Sequence, residues 1–165
     1  MPTADADVEN EKELMDANVV VKYGKKIKCF IGVFLIEGLK KLTILKPHTC
    51  LIVIIKNHAI ALRFEQNYIE LLDPLGLKNA KILSPVFQFL KRHLPCKKLL
   101  VNTKIQSDSS SECAKFSLVF LYLRNHGFSY NDFLNIFSND FANNDVKIKV
   151  YFDKFFVTSE KRAKK

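Results

Sequence analysis

Four residues carry side chains that could make and break an acyl bond if the fold brought them together: His58, Asp73, Gln106 and Cys113. Cys113 falls where a polar serine run (109–111) ends and a helix with periodic apolar residues should begin. Its thiol would then sit in a first turn, among unpaired N–H groups and the positive end of the helix dipole. Such a setting favours the thiolate, the nucleophilic form of a residue that otherwise titrates near ~8.5. A nucleophile of this kind needs a base with one ring nitrogen facing it and a third group holding the other. His58 follows a buried strand, and Asp73 ends a later one, so neighbouring strands would carry both to one rim of a sheet. Gln106, seven residues before Cys113, could offer its amide, beside the Cys113 backbone N–H, to the oxyanion that thiolate attack creates. Each residue also has a plainer reading: a buried structural cysteine, a hydrogen-bonded histidine, a turn carboxylate ahead of Pro74. Singly, those plainer readings are the better ones.

The elements that must position these residues are legible in outline. Residues 51–56 form a continuous β-rich run, as in a strand buried on both faces. Residues 59–65 and 68–72 read as two strands joined by a tight Gln66-Asn67 hairpin, and Asp73-Pro74-Leu75-Gly76 then breaks the second with turn chemistry. Ser84-Pro85 signals a helix start, running through Phe87, Leu90 and Arg92 and stopping before Pro95. Residues 98–105 read as a strand. A strong helix over 112–126 buries Phe116, Val119, Phe120 and Leu123 and ends at Gly127. Two more helices are expected near 130–137 and 144–156, with Asn143 or Asn144 capping the second. The sum is an α+β domain with a central, mostly antiparallel sheet flanked by helices. The organisation read from composition is a loose acidic leader (1–19), one domain (20–157) and a basic tail (158–165).

At 165 residues and 48% apolar content, the chain can build a real core. No uninterrupted apolar run exceeds six residues, far short of the ~20 residues that span a bilayer. The acidic start shows no hydrophobic signal region, so a soluble, non-exported protein without a membrane partner is expected. Cys29, Cys50, Cys96 and Cys113 form no Cys-x-x-Cys pair, and the four histidines make no zinc-like spacing, which argues against a structural metal or disulfide framework. The net charge of +9 is spread along the chain, with one dense patch at Lys161, Arg162, Lys164 and Lys165. It serves either as a solvated lysine surface or as nonspecific attraction for a polyanion such as DNA, without base reading.

In combination the residues match a family. The stretch around His58, the Asp73-Pro74-Leu75-Gly76 turn and the Gln106-x6-Cys113 spacing resemble the adenovirus-type cysteine endopeptidases (adenain), in that family's order of His, acid, Gln and Cys. Phe120-Leu121-Tyr122, Tyr130-Asn131-Asp132-Phe133-Leu134 and Asn143-Asn144-Asp145 look especially like proteases of Polinton/Maverick elements and adintoviruses, and Cys29-Phe30-Ile31-Gly32-Val33-Phe34 resembles the family's N-terminal portion. The resemblance covers roughly residues 20–155. It implies an adenain/Ulp-like protease fold with His58 as base, Asp73 orienting it, Gln106 in the oxyanion hole and Cys113 as nucleophile, and a monomer is expected. It further implies cleavage of viral structural precursors during particle maturation, beside small residues and glycine above all, in the host nucleus and the virion. No cofactor is implied, but stimulation by DNA and by an activating peptide is, the latter through a disulfide at a position near Cys96. Two departures stand out: Ala59 where the family carries Trp after the histidine, and Ala114 where it carries Gly after the nucleophile. They keep open a catalytically inactive DNA-binding virion protein on the same fold; the other alternative is a SUMO- or ubiquitin-like isopeptidase, against which stands the absence of any Trp for the tunnel such enzymes typically use.

Overall fold

The computed structural model describes residues 15–43, 45–76, 80–93 and 98–164. Strands Phe30–Phe34 (β1), Cys50–Ile55 (β2), His58–Phe64 (β3), Tyr68–Leu72 (β4) and Lys98–Leu100 (β5) join, in that order, into one sheet. The central pairings β2–β3 and β3–β4 are antiparallel, whereas β1–β2 and β4–β5 are parallel. The expected antiparallel character thus holds at the centre and gives way at both edges. The reason is connectivity: a parallel partner needs a crossover, and the helices Ile36–Lys40 (α2) and Ala80–His93 (α3) provide one at each edge. The Gln66-Asn67 hairpin forms as its sequence suggests, closed by Glu65 N–H donating to the Tyr68 carbonyl at 2.9 Å.

The unbroken apolar text of β2 is explained by two cores, one on each face of the sheet. Leu51, Val53 and Ile55, with Ile60, Leu62 and Leu71, pack on Leu39 of α2 and on Leu83, Val86, Phe89 and Leu90 of α3. Cys50, Ile52 and Ile54, with Ala59, Ala61 and Leu72, pack under Val20 of Ala17–Gly24 (α1), most of Cys113–Asn125 (α4), Phe133 of Tyr130–Leu134 (α5) and Ile148 of Phe141–Phe152 (α6). Alternate residues of one strand therefore serve opposite helical layers. The four apolar positions expected on α4 are all buried. Behind α6 the chain continues through a π-helical turn, Asp153–Val157, into Thr158–Ala163 (α7).

Three boundaries differ from the sequence reading. α3 begins at Ala80, so Pro85 lies inside the helix; the earlier turn is what brings Leu83 into the core. β5 stops at Leu100 instead of continuing to 105, and residues 101–106 become an irregular strap. α6 starts at Phe141, capped by Asp140, whose carboxylate accepts from the Asn143 N–H. Asn143 and Asn144 are thus not the cap, and Asn144 is used elsewhere. Among the described residues no helix is long and apolar enough to cross a membrane.

Candidate active site

At one end of the sheet three of the four singled-out side chains meet. His58 opens β3 and Asp73 follows β4; because those strands run antiparallel, the start of one and the end of the other share a rim. The imidazole Nε2 lies 2.6 Å from Asp73 Oδ1. Cys113 is the first residue of α4, and its Sγ accepts from the Ala59 N–H at 3.4 Å. β4 pairs with β3 only from Ala61 onward, so no strand competes for that amide. Ala59 is fully buried, and its small side chain lets the start of α4 approach the strand this closely. The position where the family carries Trp is therefore a core position here.

The electrostatics favour a charged imidazole. Burial works against the His58 cation and is the largest single influence, but hydrogen bonds to Asp73 and Cys113, with the charges those groups carry, outweigh it and push the pKa up to about 9. With Nε2 committed to Asp73, Nδ1 is the nitrogen left for the thiol. At neutral pH the His58 ring therefore rests protonated beside the thiol. Cys50 is a contrast: burial pushes its thiol up to about 12, as suits an inert core residue.

Cys113 is only 2% exposed. A cleft of about 270 Å³ at the start of α4 is lined by Met15, Ser111, Glu112, Ala114 and Lys115, and none of Cys113, His58, Asp73 and Gln106 lines it. Glu112, the residue before the thiol, is balanced by Lys115 at 2.9 Å and Lys149 at 3.6 Å, which offsets a negative charge that would oppose a thiolate.

Gln106 is buried nearby but does not point a bond at Cys113. Its Nε2 donates to the Ser110 carbonyl at 2.9 Å, leaving a second N–H, while its Oε1 is buried without a hydrogen-bond partner. Its backbone N–H donates to Pro74 O at 3.0 Å, as does that of Ile105 at 2.9 Å. The strap carrying Gln106 is thereby stitched to the turn carrying Asp73. From its far side Asn144 Nδ2 donates to Ile105 O at 3.0 Å, and Asp145 accepts from the Ser107 hydroxyl.

Sequence reasoning missed four contributors. The Ala59 N–H is backbone and has no residue-type signature. Asn144 and Asp145 were noticed only as text near a helix start, although a fully buried Asn is an informative anomaly. Asn102 was absorbed into an expected strand; it is buried and grips Asp73 on both sides of its peptide backbone. Cys96 lies outside the described residues, as does most of the acidic leader.

Neither a protein-family model nor a curated protein matches the chain. Among solved structures the chain is similar to the central domain of the uncharacterized Lpg1148 protein from Legionella pneumophila, at TM-score 0.54 and 12% identity over 87% of this chain and 96% of that one. It is also similar to the SUMO protease Ulp1 with its catalytic cysteine oxidized to a sulfinic acid, at TM-score 0.47 and 10% identity over 87% and 81% of the two chains. The first likeness shows a shared fold; at such identities neither bears on what this chain acts upon.

Proposed function

We propose that the protein is a cysteine endopeptidase that cleaves structural precursors of a virus or virus-like element during particle maturation. The observation that carries the hydrolytic part is the Asp73–His58 bond of 2.6 Å aimed at a thiol on the first turn of a helix. In this reading the Cys113 thiolate attacks the scissile carbonyl carbon. The resulting oxyanion is met by the Cys113 N–H and by the spare N–H of Gln106. The carbon–nitrogen bond then breaks as His58 Nδ1 gives its proton to the departing amine. Neutral His58 next takes a proton from water, the hydroxide attacks the thioester, and the Cys113 thiolate is released. Asp73 holds the ring so that Nδ1 is always the nitrogen presented. A preference for small residues, glycine in particular, at the scissile bond rests on the sequence resemblance and fits the burial of Cys113. The viral substrate, action in the host nucleus and virion, and stimulation by DNA or a peptide belong to the same proposal and rest on the sequence resemblance.

The test is alkylation by iodoacetamide across pH, read site by site by mass spectrometry, in wild type, Cys113→Ala and His58→Ala. Exposed Cys29 serves as the comparison thiol within each molecule. The midpoint of the pH profile is the readout, because access to a buried thiol affects the rate at every pH alike. A Cys113 midpoint well below that of Cys29, moved upward by His58→Ala, is expected; coincident midpoints would sink the peptidase reading and leave the noncatalytic DNA-binding one. A panel of Gly-containing peptides and ubiquitin-like fusions, with and without duplex DNA at two salt concentrations, then separates endopeptidase from isopeptidase. Cleavage of the fusions alone would overturn the maturation role, and a response to DNA that does not weaken with salt would overturn electrostatic stimulation.

A further inference from the structure

We propose that Asn102 is a positioning residue for the Asp73–His58 pair, an inference that deepens the peptidase reading and rests on it for its consequence in catalysis. The argument begins with where β5 ends. The β4–β5 ladder pairs Tyr68 with Lys98, Ile69 with Leu99 and Glu70 with Leu100, and then stops. Asp73, three residues beyond the last pair, has no strand partner on that side: its carbonyl accepts from the Gly76 N–H at 2.8 Å within the turn, but its buried N–H needs another acceptor. The Asn102 side chain takes the place of that strand. Its Oδ1 accepts from the Asp73 N–H at 2.8 Å, and its Nδ2 donates to the Asp73 carbonyl at 2.6 Å. The remaining N–H of the amide donates to Thr103 O at 2.7 Å, which fixes the amide plane against its own strap.

Only a carboxamide offers one acceptor and two donors in this flat, rigid arrangement. With its backbone held on both sides, Asp73 can turn only about its side-chain bonds. There Oδ1 is claimed by His58 Nε2 at 2.6 Å and by the Leu75 N–H at 3.0 Å. The same strap delivers Gln106, whose N–H and that of Ile105 both reach Pro74 O. Asn102 thus joins the acid and the proposed oxyanion donor into one rigid unit without touching substrate. Exact placement of this kind matters because a displacement of ~1 Å in a reacting group can cost ~100-fold in rate.

The test compares Asn102→Leu, nearly the same shape with neither donor nor acceptor, with the milder Asn102→Ser, which remains available if the first variant does not fold. Phe133→Leu, in the core away from the site, controls for lost stability. The first readout is the low-field proton NMR signal of the imidazole N–H shared with Asp73, identified by its absence in His58→Ala. It is expected to broaden or move upfield in the Asn102 variants and to stay in Phe133→Leu. The second is the pH profile of Cys113 alkylation, expected to shift upward by about one pH unit, with peptide cleavage slowed ~100-fold through kcat more than KM. An unchanged NMR signal and profile in the Asn102 variants, despite a loss of stability matching the control, would overturn the proposal. If wild-type Cys113 alkylates like Cys29, the peptidase reading fails by itself, while the NMR signal still decides whether Asn102 positions Asp73.

Discussion

The ionisation of one imidazole sets how the thiol beside it behaves, and it also ties stability to pH. His58 has its pKa raised from 6.5 to about 9, so its protonation favours the folded state fully below 6.5, and that contribution is lost as pH rises through about 9. The unfolding free energy of wild type relative to His58→Gln should therefore fall across that window, by about 3 kcal/mol at most. Urea titrations at a series of pH values measure it, and a flat difference would show that the imidazolium is not held by Asp73 and Cys113. Peptide cleavage should decline above the same pH, where the ring has lost the proton the leaving amine needs. The types and order of His58, Asp73 and Cys113 were readable in the sequence because an imidazole, a carboxylate and a thiol are chemically distinctive. The Ala59 N–H and the Asn102 grip were not, since a backbone donor carries no letter and an Asn in an apolar run looks like an interruption.

At the scale of elements, the turn that follows β4 is locked against the strap that precedes α4. Gly76 has φ +68, and a Cβ there would fall 2.3 Å from Lys104 N. Gly127, at φ +89, would meet nothing within 4 Å. Gly127→Ala should thus cost only the left-handed backbone, about 1 kcal/mol, whereas Gly76→Ala must also push the strap away and cost about 2–3 kcal/mol or more. Denaturant unfolding checks the stabilities. Alkylation checks the site, where Gly76→Ala alone should alter the Cys113 profile; equal effects would mean that turn and strap move freely. The central strands were legible because continuous apolar text and a two-residue polar hairpin leave few alternatives. The start of α3 was misplaced because Ser84-Pro85 mimics a cap locally, while burial of Leu83, a long-range contact, decides the matter. The end of β5 was misplaced for a similar reason: residues 101–105 are apolar enough for a strand, but their hydrogen bonds go to the turn after β4.

Across the whole molecule, α4 links two ends with different tasks. Cys113 lies at one end, and eleven residues on, a distance of ~16 Å along the helix, Arg124 enters a buried charge cluster at the other. Arg124 Nη2 meets Glu70 at 2.8 Å and Nε meets both of its carboxylate oxygens, while Arg63 pairs with Glu65 close by. Glu70→Ala would strand a poorly solvated guanidinium and should cost about 3–5 kcal/mol, with the Cys113 alkylation midpoint unchanged. A shifted midpoint would mean that the two ends are coupled. The layout of the site along the chain has a consequence for timing. His58 and Asp73 lie 15 residues apart on consecutive hairpins, but the thiol reaches Ala59 across a separation of 54. Closing the longer loop costs only about 1 kcal/mol more in chain entropy, yet it waits for a whole helix to dock. A chain still emerging from the ribosome can thus pair its central strands before the helix bearing Cys113 has docked, so that on the proposed reading the site is completed last.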